Sequence, residues 1–237
     1  MEAEISPNPK QETPALRTLD ARLPENESLW ESITENPLVW VDWDGGDLDS
    51  QENEGFKHDG PESYLISPIS EANLFSDKYL DCTGIIAIAT DRETNKEVAF
   101  LSHQDPKYII HGGEDKADKF SAALKASINE IKKRAKQGTL DIAIVGGNYD
   151  RTDPSSYYSK SYIDAIQFLG KVIEEETDVC PTVLTGPNVL IGSGTDILVD
   201  TQTRTILIDR STQPLEFETS YTSSNIKEVE KTWLASS

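Results

Sequence analysis

Cysteine is scarce in this chain. It holds two, Cys82 and Cys180, in 237 residues, too few for a disulfide scaffold. Three histidines, His58, His103 and His111, are scattered, and neither C-x-x-C nor H-E-x-x-H spacing occurs. The sequence therefore offers no metal site and implies no cofactor. No apolar run approaches the roughly 18 to 20 residues needed to cross a bilayer. The opening stretch, MEAEISPNPKQETPALR, lacks the basic start and apolar core of a secretory signal. These absences predict a cytoplasmic chain that does not enter a membrane.

Basic residues are also in deficit. Lysine and arginine number 22 against 42 acids, a formal charge of −20. Such a chain is repelled by nucleic acid phosphates and by anionic membrane surfaces, which excludes nucleic-acid binding. Residues 1–60 carry 15 acids and 4 bases, so they supply −11 of that charge. An acidic N-terminal segment of this kind suits a basic partner. Hydrophobic residues, at 36%, suffice for one core if part of the chain stays outside it.

Residues 1–28 combine Pro7, Pro9, Pro14 and Pro24 with polar residues. That composition predicts a disordered acidic tail, because it cannot bury enough apolar area to offset chain entropy. Residues 29–63 begin with LWESITENPLVWVDW, a Trp-bearing segment predicted as a short helix and a strand docking on the core. The main domain is expected over 64–212, followed by a polar tail or short helix over 213–237. Within the domain, YLISPI (64–69) reads as a strand. GIIAIAT (84–90) and EVAFLSH (97–103) flank a polar turn and read as a hairpin. Helical spacing predicts helices over about 115–136 and 156–176. Further strands are expected at 139–147, 181–186, 195–201 and 205–211, the last two joined over Gln202-Thr203. Adjacent strands with few intervening helices predict an α+β fold: a mixed sheet or two-layer β-sandwich flanked by helices.

One pair of residues carries chemistry. If the first hairpin turns at DRETNK, facing residues have numbers adding to about 187, and Gly84 opposes His103. Side chains alternate with period two, so Cys82, Gly84, Ile86 and Ile88 share a face with Ala99, Leu101 and His103. Cys82 and His103 are then diagonal neighbours. A neighbouring imidazolium is expected to lower the thiol pKa and make the thiolate the nucleophile, and the ring then delivers its proton to a leaving amine or ammonia. Thr83 and Gly84 follow the cysteine and are expected to leave backbone N–H groups open for an oxyanion.

The stretch from Leu80-Asp81-Cys82 through Leu101-Ser102-His103-Gln104-Asp105 to Val145-Gly146-Gly147 resembles the catalytic core of the cysteine deamidase superfamily. That group includes chemoreceptor glutamine deamidases, protein N-terminal asparagine amidohydrolases and deamidating bacterial toxins. The resemblance implies Cys82 as nucleophile, His103 as base, and Ser76, six residues before the cysteine, as the third member. It places Asp105, Gly146 and Gly147 around the pocket, with Ser76 or a nearby backbone carbonyl orienting the ring. The chemoreceptor enzymes carry Gly-Ser-Cys where this chain has Leu80-Asp81-Cys82. An Asp81 carboxylate facing the sulfur would raise the thiol pKa.

The implied activity is hydrolysis of an Asn or Gln carboxamide in a protein or peptide through a thioester on Cys82. Two other readings stand beside it: a non-enzymatic interaction protein on a degenerate deamidase fold, and an effector or toxin deamidating a foreign protein. The acidic run at 42–54 departs from a calcium loop, since Gly46 stands where a ligand is needed and Asp47 where a glycine is. It is taken as a solvated loop. His111-Gly112-Gly113 reads as a turn, and Cys180 as structural.

Overall fold

The long apolar strand at 83–90 organises the structure. A run such as TGIIAIAT, with both faces apolar, stabilises a strand only where both faces are covered. In the computed structural model, which describes residues 15–41, 55–59, 63–147, 153, 155–184 and 195–210, every residue of this strand is buried.

The described elements are β1 (Arg17–Asp20), α1 (Pro24–Thr34), β2 (Leu38–Trp40), β3 (Lys57–His58), β4 (Tyr64–Ile66), β5 (Asn73–Ser76), β6 (Thr83–Thr90) and β7 (Glu97–Gln104). They continue through α2 (Pro106–His111), α3 (Glu114–Arg134), β8 (Asp141–Gly146), α4 (Tyr157–Glu176), β9 (Thr182–Val183), β10 (Thr195–Asp200) and β11 (Thr205–Arg210). The strands form two mixed sheets. One has the order β1-β11-β10-β5-β2 and the other β3-β4-β7-β6-β8-β9. The fold is α+β, as the strand-rich order predicted.

Three cores separate four layers. Ile85, Ala87 and Ala89 of β6 pack with Phe120, Leu124, Ile128 and Ile131 of α3 and Ile166, Leu169 and Ile173 of α4. Ile86 and Ile88, on the other face, meet Leu74, Ile197, Val199, Ile206 and Ile208 of the second sheet. The outer face of that sheet, Phe75, Leu198 and Leu207, is covered by Ile33, Leu29 and Trp30 of α1. Helix α3 has Glu114 and Asp115 in its first turn and Lys132, Lys133 and Arg134 in its last, which complements the helix dipole. The Ser156 side chain caps α4 by accepting the Ser159 N–H.

The β6–β7 hairpin has the expected register: Thr83 opposes Gln104, and Ile86 to Thr90 oppose Leu101 to Glu97. The β10–β11 hairpin turns over residues 201–204. There Arg204, at φ 54, is fully enclosed, yet reaches Glu97 at 2.5 Å and Asp141 at 2.6 Å. It also donates to the Thr139 carbonyl at 2.8 Å. One guanidinium thus ties the second sheet to β7 and to the segment around β8.

The expected domain boundaries need correction. Ordered structure begins well before residue 28: β1 pairs in parallel with β11, and α1 starts at Pro24. Proline tolerates the first turn of a helix, where its missing N–H has no partner to lose. The domain cannot begin at residue 64, because β1, β2 and β3 belong to its sheets. The 42–54 acidic run and the C-terminal segment from 213 lie outside the described residues. Among the described residues, no helix is long and apolar enough to cross a membrane.

Candidate active site

The connection from β5 to β6, residues 77–82, crosses from one sheet to the other. It delivers Ser76 at its start and Cys82 at its end. Cys82 is half-buried and packs against the inter-sheet core. Leu101 and Ala99 lie in that same core, whereas Phe100 lies in the helix-facing one. By alternation His103 shares the Cys82 face, as the register required.

His103 is 1% exposed. Its Nδ1 lies 2.9 Å from Ser76 Oγ. The Ser76 hydroxyl donates to the Val41 carbonyl, so its oxygen is left to accept. The proton between ring and serine therefore belongs to Nδ1, and the lone pair to Nε2. The Val41 carbonyl beyond the serine by itself favours the charged imidazole. Burial outweighs it and pushes the His103 pKa down to about 3. The ring is thus a neutral base at ordinary pH, not the imidazolium expected beside the thiol, because burial disfavours its charge. The sequence anticipated Ser76 or a backbone carbonyl as the orienting group; the structure places Ser76 at the ring and the Val41 carbonyl on the serine.

Tyr79 was not anticipated. Its ring stacks on His103 with centroids 4.0 Å apart and planes 12° from parallel. Its hydroxyl donates to the Ser102 carbonyl at 2.9 Å. That hydrogen bond occupies the point where the β6–β7 ladder opens: Ile85 N–H donates to Ser102 Oγ at 2.8 Å instead. Tyr79 is held from behind by two backbone bonds to Thr195, at 3.0 and 3.1 Å.

The remaining predicted residues serve mainly to build the site. Thr83 and Gly84 are both buried inside β6, Thr83 between Gln104 and Gly146 and Gly84 beside Val145. A Cβ on Gly84 would sit 2.3 Å from the Ser102 carbonyl oxygen and 2.8 Å from the Tyr79 hydroxyl. Gly147 donates its N–H to the Cys82 carbonyl at 2.7 Å. Gly146 and Gly147 have φ of 78° and 95°, and a Cβ on Gly146 would lie 2.4 Å from that same carbonyl oxygen. The Gly-Gly pair thus wraps the cysteine backbone rather than lining a pocket with spare donors. Asp105 likewise caps α2, accepting the Lys107 N–H at 2.7 Å, and its own N–H goes to the Ser63 carbonyl.

Asp81 pairs with Lys107 at 3.4 Å. Its charge is the main reason the Lys107 pKa is raised. The Asp81 carboxylate therefore has a cation partner on the first turn of α2. Leu80 and Tyr157 stand exposed, and Tyr157 lies within electrostatic range of Lys107. Val41, Tyr79 and Lys107 carried no motif in the sequence. Cys180 is a thiol on the surface. Among the described residues, no group of three or more His, Cys, Asp or Glu could hold a metal ion.

In comparisons with known proteins, the chain matches no family model and no curated protein.

Proposed function

We propose that the protein is a cysteine-dependent amidohydrolase of the cysteine deamidase type. It converts an Asn or Gln carboxamide of a cytoplasmic protein or peptide to a carboxylate, without a cofactor. The observation that carries this reading is the Val41–Ser76–His103 relay, which fixes the imidazole tautomer on the face that Cys82 shares. With Nδ1 committed to Ser76, Nε2 takes the Cys82 thiol proton as sulfur attacks the carboxamide carbon. The tetrahedral intermediate collapses as Nε2–H protonates the leaving nitrogen, and ammonia departs. Water, deprotonated by the same nitrogen, opens the thioester and restores the thiol. A buried neutral histidine suits this order, with the proton moving during attack rather than resting on the ring beforehand.

The test is ammonia release from Asn- and Gln-containing peptides. Cys82→Ala should lower the rate by about 10³-fold or more with an unchanged unfolding midpoint, whereas Cys180→Ala should leave the rate intact. Equal losses at both cysteines would refute the assignment. Absence of hydrolysis with any protein or peptide carboxamide would leave the acidic interaction-protein reading in its place.

A further inference from the structure

Tyr79 lies outside every motif, yet the backbone around it is built to make room for it. Its Cδ1 would lie 2.7 Å from a Cβ on Gly146, and its hydroxyl 2.8 Å from one on Gly84. Any side chain at either position would displace the ring. The residue is fully buried, and Thr195 anchors its backbone from the second sheet in both directions. Its ring then lies 12° from parallel to His103 at 4.0 Å. The serine contact at Nδ1 fixes one point of the imidazole, but it allows rotation about that point. The stack removes that remaining freedom.

We propose, resting on the amidohydrolase reading above, that Tyr79 is a positioning residue. It fixes the imidazole plane and presents its π face to the imidazolium formed when His103 takes the Cys82 proton. As sulfur bonds to the attacked carbon, the S–H bond breaks, an Nε2–H bond forms, and imidazolium stands where imidazole stood. An aromatic face attracts a cation electrostatically, most strongly when water is excluded. Tyr79 therefore favours the charged ring over the neutral one, and the preference depends on π-electron density rather than on volume.

Replacing Tyr79 by Phe, and then by phenylalanines carrying successive ring fluorines through nonsense suppression, tests this at nearly constant shape. Phe keeps the stack and gives up only the Ser102 hydrogen bond. The first readout is the alkylation rate of Cys82, which needs no substrate. The second is the His103 ring ¹⁵N spectrum, which reports the tautomer and the Nδ1–H. The third is kcat against KM for carboxamide hydrolysis. Tyr79→Phe should stay within about threefold of wild type, and the fluorinated rings should lower alkylation and kcat stepwise, to about tenfold, with KM unchanged. Tyr79→Leu should lose the sharp Nδ1–H signal. A flat response along the fluorine series, or an unchanged imidazole spectrum in Tyr79→Leu, would overturn the proposal. A graded alkylation rate with no hydrolysis of any carboxamide would retain the role of Tyr79 and refute the amidohydrolase reading instead.

Discussion

Ser76→Ala perturbs the relay at its middle. Ser76 Oγ accepts from His103 Nδ1–H at 2.9 Å and donates to the Val41 carbonyl. Removing it frees a donor and an acceptor together. Both groups bond the same serine oxygen, so a small shift lets them pair directly. The loss is then one net hydrogen bond plus a small void, about 1 to 2 kcal/mol. If the same loss applies to the transition state, kcat falls about tenfold. His103→Ala removes the base itself and should cost about 10² to 10⁴-fold. The assay is ammonia release at saturating peptide, with urea unfolding measured on the same variants. Ser76→Thr keeps the oxygen and should recover most of the rate. A Ser76→Ala loss as large as that of His103→Ala would show that serine acts on the reacting atoms. No loss at all would show that Val41 alone orients the ring. Either result refutes the reasoning.

Two further predictions concern stability. Burial holds the His103 pKa near 3 in the folded state, against 6.5 for the free side chain. Below about pH 6.5 the unfolded chain binds a proton that the folded chain refuses, so stability falls as pH drops, by up to about 1.4 kcal/mol per pH unit. Urea titrations between pH 7 and 4.5 should show this limb, and His103→Gln should flatten it. Asp91, held near 2 chiefly by the Thr94 N–H and by Arg134, acts only below about pH 4, so it does not mask the effect. Arg204→Ala should cost about 3 kcal/mol, because it strands the largely buried Glu97 without its cation and empties an enclosed site, while Asp141, 44% exposed, turns to water. Lys96→Ala, which removes an exposed pair with Glu71, should cost under about 1 kcal/mol. Similar midpoints for the two variants would show that Arg204 does not clamp the sheets.

The hairpin that carries His103 was legible because two apolar runs flank a polar turn and strand alternation has period two. Ser76 was reached only through a resemblance: its strand, Asn73–Ser76, is four residues long and too short to show a pattern. The N-terminal stretch was misread as a tail because prolines and acids dominate its composition. Its few apolar residues, Leu19 and Ala21, nevertheless pack with the docked Leu29, Trp30 and Ile33 on the outer face of a sheet, and tertiary packing overrides composition there. Val41 acts through its carbonyl, which no side-chain pattern can announce. Tyr79 sits in a connector without periodicity, and Gly84 and Gly146 become meaningful only once its ring is seen above them.

The way the parts are distributed has a consequence for how the site fails. His103 comes from one sheet, Ser76 from the other, and Val41 from the segment that follows α1 and β2. No single hairpin contains the relay. The inter-sheet core, with Leu74, Ile197 and Val199 facing Ile86, Leu101 and Val145, therefore sets the distance between serine and imidazole. A change that slides one sheet against the other by a fraction of an ångström would loosen the Nδ1 contact before it unfolded the protein, since that hydrogen bond weakens steeply with geometry while apolar contact does not. The same packing keeps water from the ring and so keeps it neutral. Loosening would therefore act in two ways at once: it would free the imidazole to rotate and raise its proton affinity. In the proposed reaction both reduce the fraction of molecules whose Nε2 is aimed at the thiol and unprotonated. Substitutions in this core, remote from the thiol itself, are thus expected to lower kcat more than their effect on the unfolding midpoint would suggest.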